Sequence, residues 1–221
     1  MGTSGFPVDL ILFGMIALFL VLRLRSVLGR RTGFERPEPP PALAGGGTVI
    51  EGHAEPAPTP PAPQRGFPPP DSAAAHALGA MRGIDRGFDP AHFLEGAERA
   101  FRLIVAAFAK GDRERLASLL GPETRRVFEA AIAAREAAAE TMATEIKALL
   151  STTITDAMLV GTRANITVRF VSDQVSATRG ADGEIVHGSE AMTEITDLWV
   201  FERDLTSADP TWRLIAAQSH E

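Results

Sequence analysis

Histidine is the first residue to weigh for chemistry, because imidazole serves as base, proton shuttle and metal ligand near neutral pH. The five histidines here are scattered: His53 and His76 fall in or beside a Pro-rich stretch, His92 at a helix start, His187 by a turn and His220 at the terminus. No two have the spacing of a metal-binding pair, and the Asp and Glu residues are spread over polar faces. Cysteine is absent, which removes thiolate nucleophiles, thiolate metal sites and disulfides. Tyrosine is absent too, which removes one common acid and oxyanion donor. There is no Gly-rich phosphate loop and no nucleophile elbow. The expectation is a protein with no catalytic residue, no metal and no cofactor.

Charge narrows the partners. The formal charge is -6, but residues 1–31 hold Arg23, Arg25, Arg30 and Arg31 against Asp9, which leaves about -9 for the remainder. An acidic body is repelled by a phosphate backbone, and its arginines (Arg99, Arg102, Arg113, Arg115, Arg125, Arg126) alternate with acids rather than forming a patch. No nucleic-acid partner is expected.

Three regions follow from composition. Residues 1–31 read as a membrane anchor with a basic flank. Leu10, Ile11, Leu12, Phe13, Ile16, Leu18, Phe19, Leu20, Val21 and Leu22 supply its apolar surface. Leu10 to Leu22 alone is short of the ~20 residues a span requires, but Phe6 to Leu24 comes close once Arg23 and Arg25 snorkel. A cleaved signal peptide would need charge before the apolar run and small residues after it; here the charges follow. Arg23, Arg25, Arg30 and Arg31 then set the topology, with the C-terminal domain in the cytoplasm. Residues 32–75 are rich in Pro and Gly and too poor in apolar surface to offset ordering entropy, so they read as a disordered spacer.

Residues 76–221 carry the folded domain. His76 to Phe88 reads as a short helix or lead-in. Phe93, Leu94, Phe101, Ile104, Val105 and Phe108 then recur at three, four and seven, one stripe of an amphipathic helix. Asp89 and Pro90 mark its start, Lys110 and Gly111 its end. Asp112 caps a second helix ended by Gly121. Pro122 starts a third, read from Glu123 to about Leu150, with Val127, Phe128, Ile132, Met142, Ile146 and Leu149 on its apolar side. The period then changes to two: strands at 152–160, at 165–171, at 194–203 and from Trp212, with a turn at Ala181-Asp182-Gly183. Leu198 and Val200 make the third strand apolar on both faces, which predicts cover on both. The fold class is α+β: long helices on a curved, four-stranded antiparallel sheet.

The order Phe93-Leu94-x-Gly96-Ala97-x-x-Ala100-Phe101, then Gly111-Asp112-x-x-x-Leu116, Trp199-x-Phe201-x-Arg203 and Pro210-x-Trp212 resembles the Tim forty-four-like domain. The namesake is the matrix-side tether of the mitochondrial presequence translocase, and the anchor and spacer resemble the bacterial adaptor members. The resemblance implies a cystatin-like or ketosteroid-isomerase-like sheet around an apolar pocket. It also implies a role in holding proteins at a membrane. Phe93, Phe101, Phe108, Phe128, Trp199 and Phe201 are the residues to line that pocket or fill the core. The expected function is a non-enzymatic adaptor at the cytoplasmic face of a bacterial inner membrane, binding proteins during translocation or complex assembly. The alternative is a module that binds a lipid or small molecule in the pocket.

Overall fold

The structure is a computed structural model, and it describes residues 62–220. The predicted anchor residues and the four topology-setting arginines lie outside the described residues, as does most of the predicted spacer. Among the described residues no helix is long and apolar enough to cross a membrane.

Nine elements follow in order: β1 (Gln64–Gly66), α1 (Ala73–Ile84), α2 (Pro90–Lys110), α3 (Arg113–Leu119), α4 (Pro122–Ala137), β2 (Thr141–Val160), β3 (Arg163–Arg179), β4 (Ile185–Asp204) and β5 (Arg213–His220). Helix α2 begins and ends where its local chemistry requires. Asp89 Oδ1 accepts the His92 amide at 2.9 Å and Pro90 occupies the first turn. Gly111 closes the helix at φ 71°, and its N–H reaches the Ala107 and Phe108 carbonyls. Asp112 repeats the device for α3, accepting the Arg115 amide at 3.0 Å. The expected stripe is the buried one: Phe93, Leu94, Phe101 and Ile104 are at most 6% exposed.

Helix α4, expected to run from Glu123 to about Leu150, ends at Ala137. Met142, Ile146 and Leu149 belong to β2; from Thr141 to Ala148 even-numbered residues are half-buried and odd-numbered ones exposed, and Leu149 beyond them is buried. A spacing of four satisfies a helical period and a strand period alike, so Met142 and Ile146 do not discriminate between them. The alanine run gives no stop signal either. The chain turns through Ala139 at φ 52°, a conformation usually left to Gly or Asn.

Among the described residues the sheet has five strands, not four, in the order β1-β2-β3-β4-β5. Strands β2 to β5 form an antiparallel meander, and β1 adds a parallel edge on β2, so the sheet is mixed. This added strand lies inside the stretch read as spacer. Its three residues carry no periodicity to read. The central strands are long, at 20, 17 and 20 residues, and bulges interrupt their registers at Ile146/Ala148, Leu149/Ser151, Ile154/Asp156 and Gln174/Ser176. Each bulge bends its strand, which lets so long a sheet curve.

One face of the sheet is the core. Ile166, Val168 and Phe170 from β3, Trp199 and Phe201 from β4, and Ile154 from β2 are at most 4% exposed. Phe101 of α2 stacks on Phe170 with centroids 4.5 Å apart, and Trp199 packs 4.8 Å from Phe101. On the opposite face Leu198 and Val200 are only half-buried, so the cover expected for that side of β4 is incomplete among the described residues.

Candidate functional site: an apolar groove beside α2

The N-terminal half of α2 has two apolar sides with different duties. Phe93, Leu94 and Phe101 face the sheet, while Gly96, Ala100 and Leu103 share a neighbouring face at steps of four and three. That second face borders a groove of about 560 Å³. The opposing wall comes from three separate places: Phe88 in the loop before α2, Leu119 at the end of α3, and Pro210-Thr211-Trp212 leading into β5. A tilted aromatic cluster joins them. Phe88 lies 5.8 Å from Trp212, Phe93 lies 4.8 Å from Trp212, and Phe93 meets Phe201 edge-on at 6.0 Å. These rings bury one another and so hold the groove's aromatic end in a fixed shape.

Gly96 decides the depth. A Cβ built there meets no heavy atom within 4 Å among the described residues, so the helix backbone itself is open to the groove. Leu103, at 41% exposed, offers apolar surface at the opposite end.

Charges of both signs border the aromatic end. Asp85 pairs with Arg203 of β4 at 3.1 Å, and Asp89 pairs with Arg82 of α1 at 2.7 Å. The His92 amide, more than the Arg82 guanidinium, holds the Asp89 carboxyl below the usual carboxylate range. Arg99 and His92 also line the groove. His92 is exposed and sits 3.7 Å from Glu95, as a surface residue of the first turn. His187 lies 4.0 Å from Glu140, far along the sheet. Among the described residues no three His, Asp or Glu side chains are grouped to hold a metal.

The six aromatics singled out from the sequence divide into three sets. Phe93 and Phe201 touch both the core and the groove. Phe101 and Trp199 lie wholly in the core, between α2 and the sheet. Phe108 and Phe128 form a separate edge-on pair at 5.0 Å joining α2 to α4, capped by the Arg135 guanidinium 5.2 Å from the Phe108 ring. Sequence reasoning passed over Phe88, Leu119 and Pro210 as groove residues. The wall they make is assembled from segments far apart in sequence, so no local pattern names it.

The core face of the sheet also carries a polar cluster. Ser172, Gln174 and Asp197 are at most 6% exposed; Gln174 Nε2 donates to Ser172 Oγ at 2.9 Å and reaches Asp197 Oδ2 at 3.5 Å, and the Ser219 hydroxyl donates to Asp197 Oδ1. These bonds connect β3, β4 and β5 side by side and satisfy groups that would be costly to bury alone.

The Tim44-like domain family matches residues 74–219, which takes in the helices and strands β2 to β5, but for one residue at each end, and the whole groove. No curated protein matches the sequence significantly. Solved structures that the chain resembles at a distance include the intermembrane space region of the chloroplast protein ARC6, 10% identical over 57% of this chain and 95% of that one, with a TM-score of 0.42. A putative dehydratase of the NTF2-like family from Streptomyces avermitilis is 15% identical over 59% and 97%, with a TM-score of 0.36. A ketosteroid isomerase-like protein from Erwinia carotovora atroseptica is 16% identical over 57% and 93%, with a TM-score of 0.31. With the matched segment covering well over half the sequence, the chain belongs to the Tim44-like domain family.

Proposed function

We propose that this protein is a non-enzymatic adaptor whose Tim44-like domain binds an apolar segment of a protein partner in the groove beside α2. The observation that carries the reading is the open backbone at Gly96, faced by Phe88, Phe93 and Trp212. Such a surface accepts a second backbone at close range and takes its larger side chains against the aromatic end. Charges of both signs beside the groove suit a polypeptide, which carries its own polar groups along an apolar face. A wholly apolar tail would make no use of that polar border.

Affinity need not be high. Burying two or three leucine-sized side chains yields roughly 1.5–3 kcal/mol each before ordering costs, which corresponds to weak binding. The predicted N-terminal anchor would raise the concentration of the domain near membrane partners, reaching the order of millimolar for short linkers and less for one of this length. The location that goes with this reading is the cytoplasmic face of a bacterial inner membrane, and the clients are proteins in transit or in assembly there. A lipid or small-molecule ligand in the same groove is the second reading.

The test is site-specific photo-crosslinking in cells, with the reactive residue at Leu103 of the full chain and a Gly96→Trp version alongside. The expected result is a defined set of membrane proteins crosslinked through Leu103 and lost with Gly96→Trp. Crosslinks that persist unchanged in Gly96→Trp would sink the groove as the site. Crosslinks to lipid alone would transfer the function to the second reading.

A further inference from the structure

Strand β1 needs its own explanation. It has three residues, Gln64, Arg65 and Gly66, none of them hydrophobic, yet it pairs in parallel with Ser151, Thr152 and Thr153 at the edge of β2. So short a parallel pairing is marginal in water. Pro63 before it and Pro68 after it have no N–H to donate, which keeps the ladder short.

Two side-chain features hold it in this register. Arg65 Nε and Nη2 donate to the two carboxylate oxygens of Glu98 at 2.8 and 3.0 Å, and Nη1 donates to Glu95 Oε1 at 3.1 Å. The two-pronged guanidinium–carboxylate bond is among the strongest side-chain contacts and fixes orientation as well as distance. The Glu98 side chain is only 12% exposed, so losing its cation would strand a largely buried charge. The next position admits only glycine: a Cβ on Gly66 would lie 2.6 Å from Thr153 Oγ1 and 2.7 Å from its Cγ2. Phe67 follows, 49% exposed, beside a shallow hollow of about 230 Å³ bounded by Leu78 and Arg82.

We propose that the β2 edge at Ser151–Thr153, together with Glu95 and Glu98, is a strand-addition site that reads an extended Arg-Gly segment. Gln64–Gly66 fills it in cis, and a protein partner bearing an exposed Arg-Gly segment fills it in trans. Backbone pairing supplies the affinity, the two carboxylates demand Arg, and Thr153 demands Gly. None of these residues lines the groove, so the two sites stand or fall separately. The cis strand competes at an effective concentration on the order of millimolar, and a partner gains the site only where its own local concentration is comparable.

The experiment uses the full chain in detergent and a fluorescent peptide, Ala-Pro-Gln-Arg-Gly-Phe-Pro, which copies residues 62–68. Receptors are the wild type and two variants that release the cis strand by different routes: Arg65→Ala, which removes the clamp, and Gly66→Val, which collides with Thr153. Circular dichroism establishes that both are folded. Amide exchange at Ser151–Thr153 is expected to accelerate in both variants and to slow again when peptide is added. The peptide is expected to bind both variants at least ten-fold more tightly than it binds wild type. That gain is expected to vanish for peptides with Arg replaced by Ala or Gly replaced by Val, and for Glu98→Ala placed in the Arg65→Ala chain. Exchange left unchanged in both variants would overturn the proposal, as would equal binding to wild type and variants. Equal binding of the peptide without Arg would do so too.

Discussion

Replacing Gly96 with alanine should make the protein more stable and a poorer binder at the same time. Gly96 lies in the interior of a 21-residue helix, and a Cβ there meets nothing within 4 Å among the described residues. No steric cost therefore offsets the gain in helix propensity, which is about 0.8–1.0 kcal/mol for Gly to Ala. For a domain of this size that corresponds to a rise in Tm of roughly 2–4 °C. Here the new methyl would stand on the floor of the groove and hold a partner backbone away from α2. The assay is thermal unfolding of the full chain in detergent, paired with crosslinking yield through Leu103. Gly79→Ala in α1 is the control: its Cβ also meets nothing within 4 Å, and Gly79 lies outside the groove. Both substitutions should stabilise, and only Gly96→Ala should lower crosslinking. A fall in Tm for Gly96→Ala would mean that the space above Gly96 is already filled, and the groove as described would be wrong. Stabilisation with crosslinking intact would leave the helix argument standing and remove Gly96 from the site.

Three further predictions concern what holds the groove in place. Phe101→Ala, which removes a fully buried ring stacked on Phe170, should cost about 3–5 kcal/mol, read as a large drop in denaturant midpoint. Gly111→Ala forces a Cβ into the left-handed conformation at φ 71° and should cost about 1–2 kcal/mol in the same assay. The carboxyls of Asp89 and Glu136 are both held below their ordinary values, by the His92 amide and by the Arg113 guanidinium respectively. A lowered folded pKa contributes stability that is fully present above the unfolded value and is lost as pH falls through the folded one. Stability should therefore decline below about pH 4, and Asp89→Asn, which keeps the helix cap but not the charge, should flatten part of that decline in unfolding measured from pH 7 to pH 3.

Much of this architecture is written locally, in residues that act within a turn of themselves. Asp89-Pro90 starts a helix and Gly111-Asp112 stops one and starts the next by satisfying free amides and carbonyls within a turn, so their meaning does not depend on what packs nearby. The stripe from Phe93 to Ile104 and the alternation from Ile166 to Phe170 likewise identify their buried faces without a structure. The chemistry that is missing, cysteine and tyrosine, is equally plain from sequence. Tertiary structure decided the rest wherever two local meanings were equally good or where partners came from far along the chain. Met142 and Ile146 fit a helix and a strand alike, and pairing with β3 along the whole of β2 settled them as strand. Gln64-Arg65-Gly66 has no preference of its own; the unpaired edge of β2 and the carboxylates of Glu95 and Glu98 make it a strand. Trp199 and Trp212 look alike as isolated aromatics, yet the sheet carries one into the core and the β4–β5 connection carries the other to the groove. Caps and periodicity act through neighbours in sequence, whereas a groove is a space between elements and exists only once they have met.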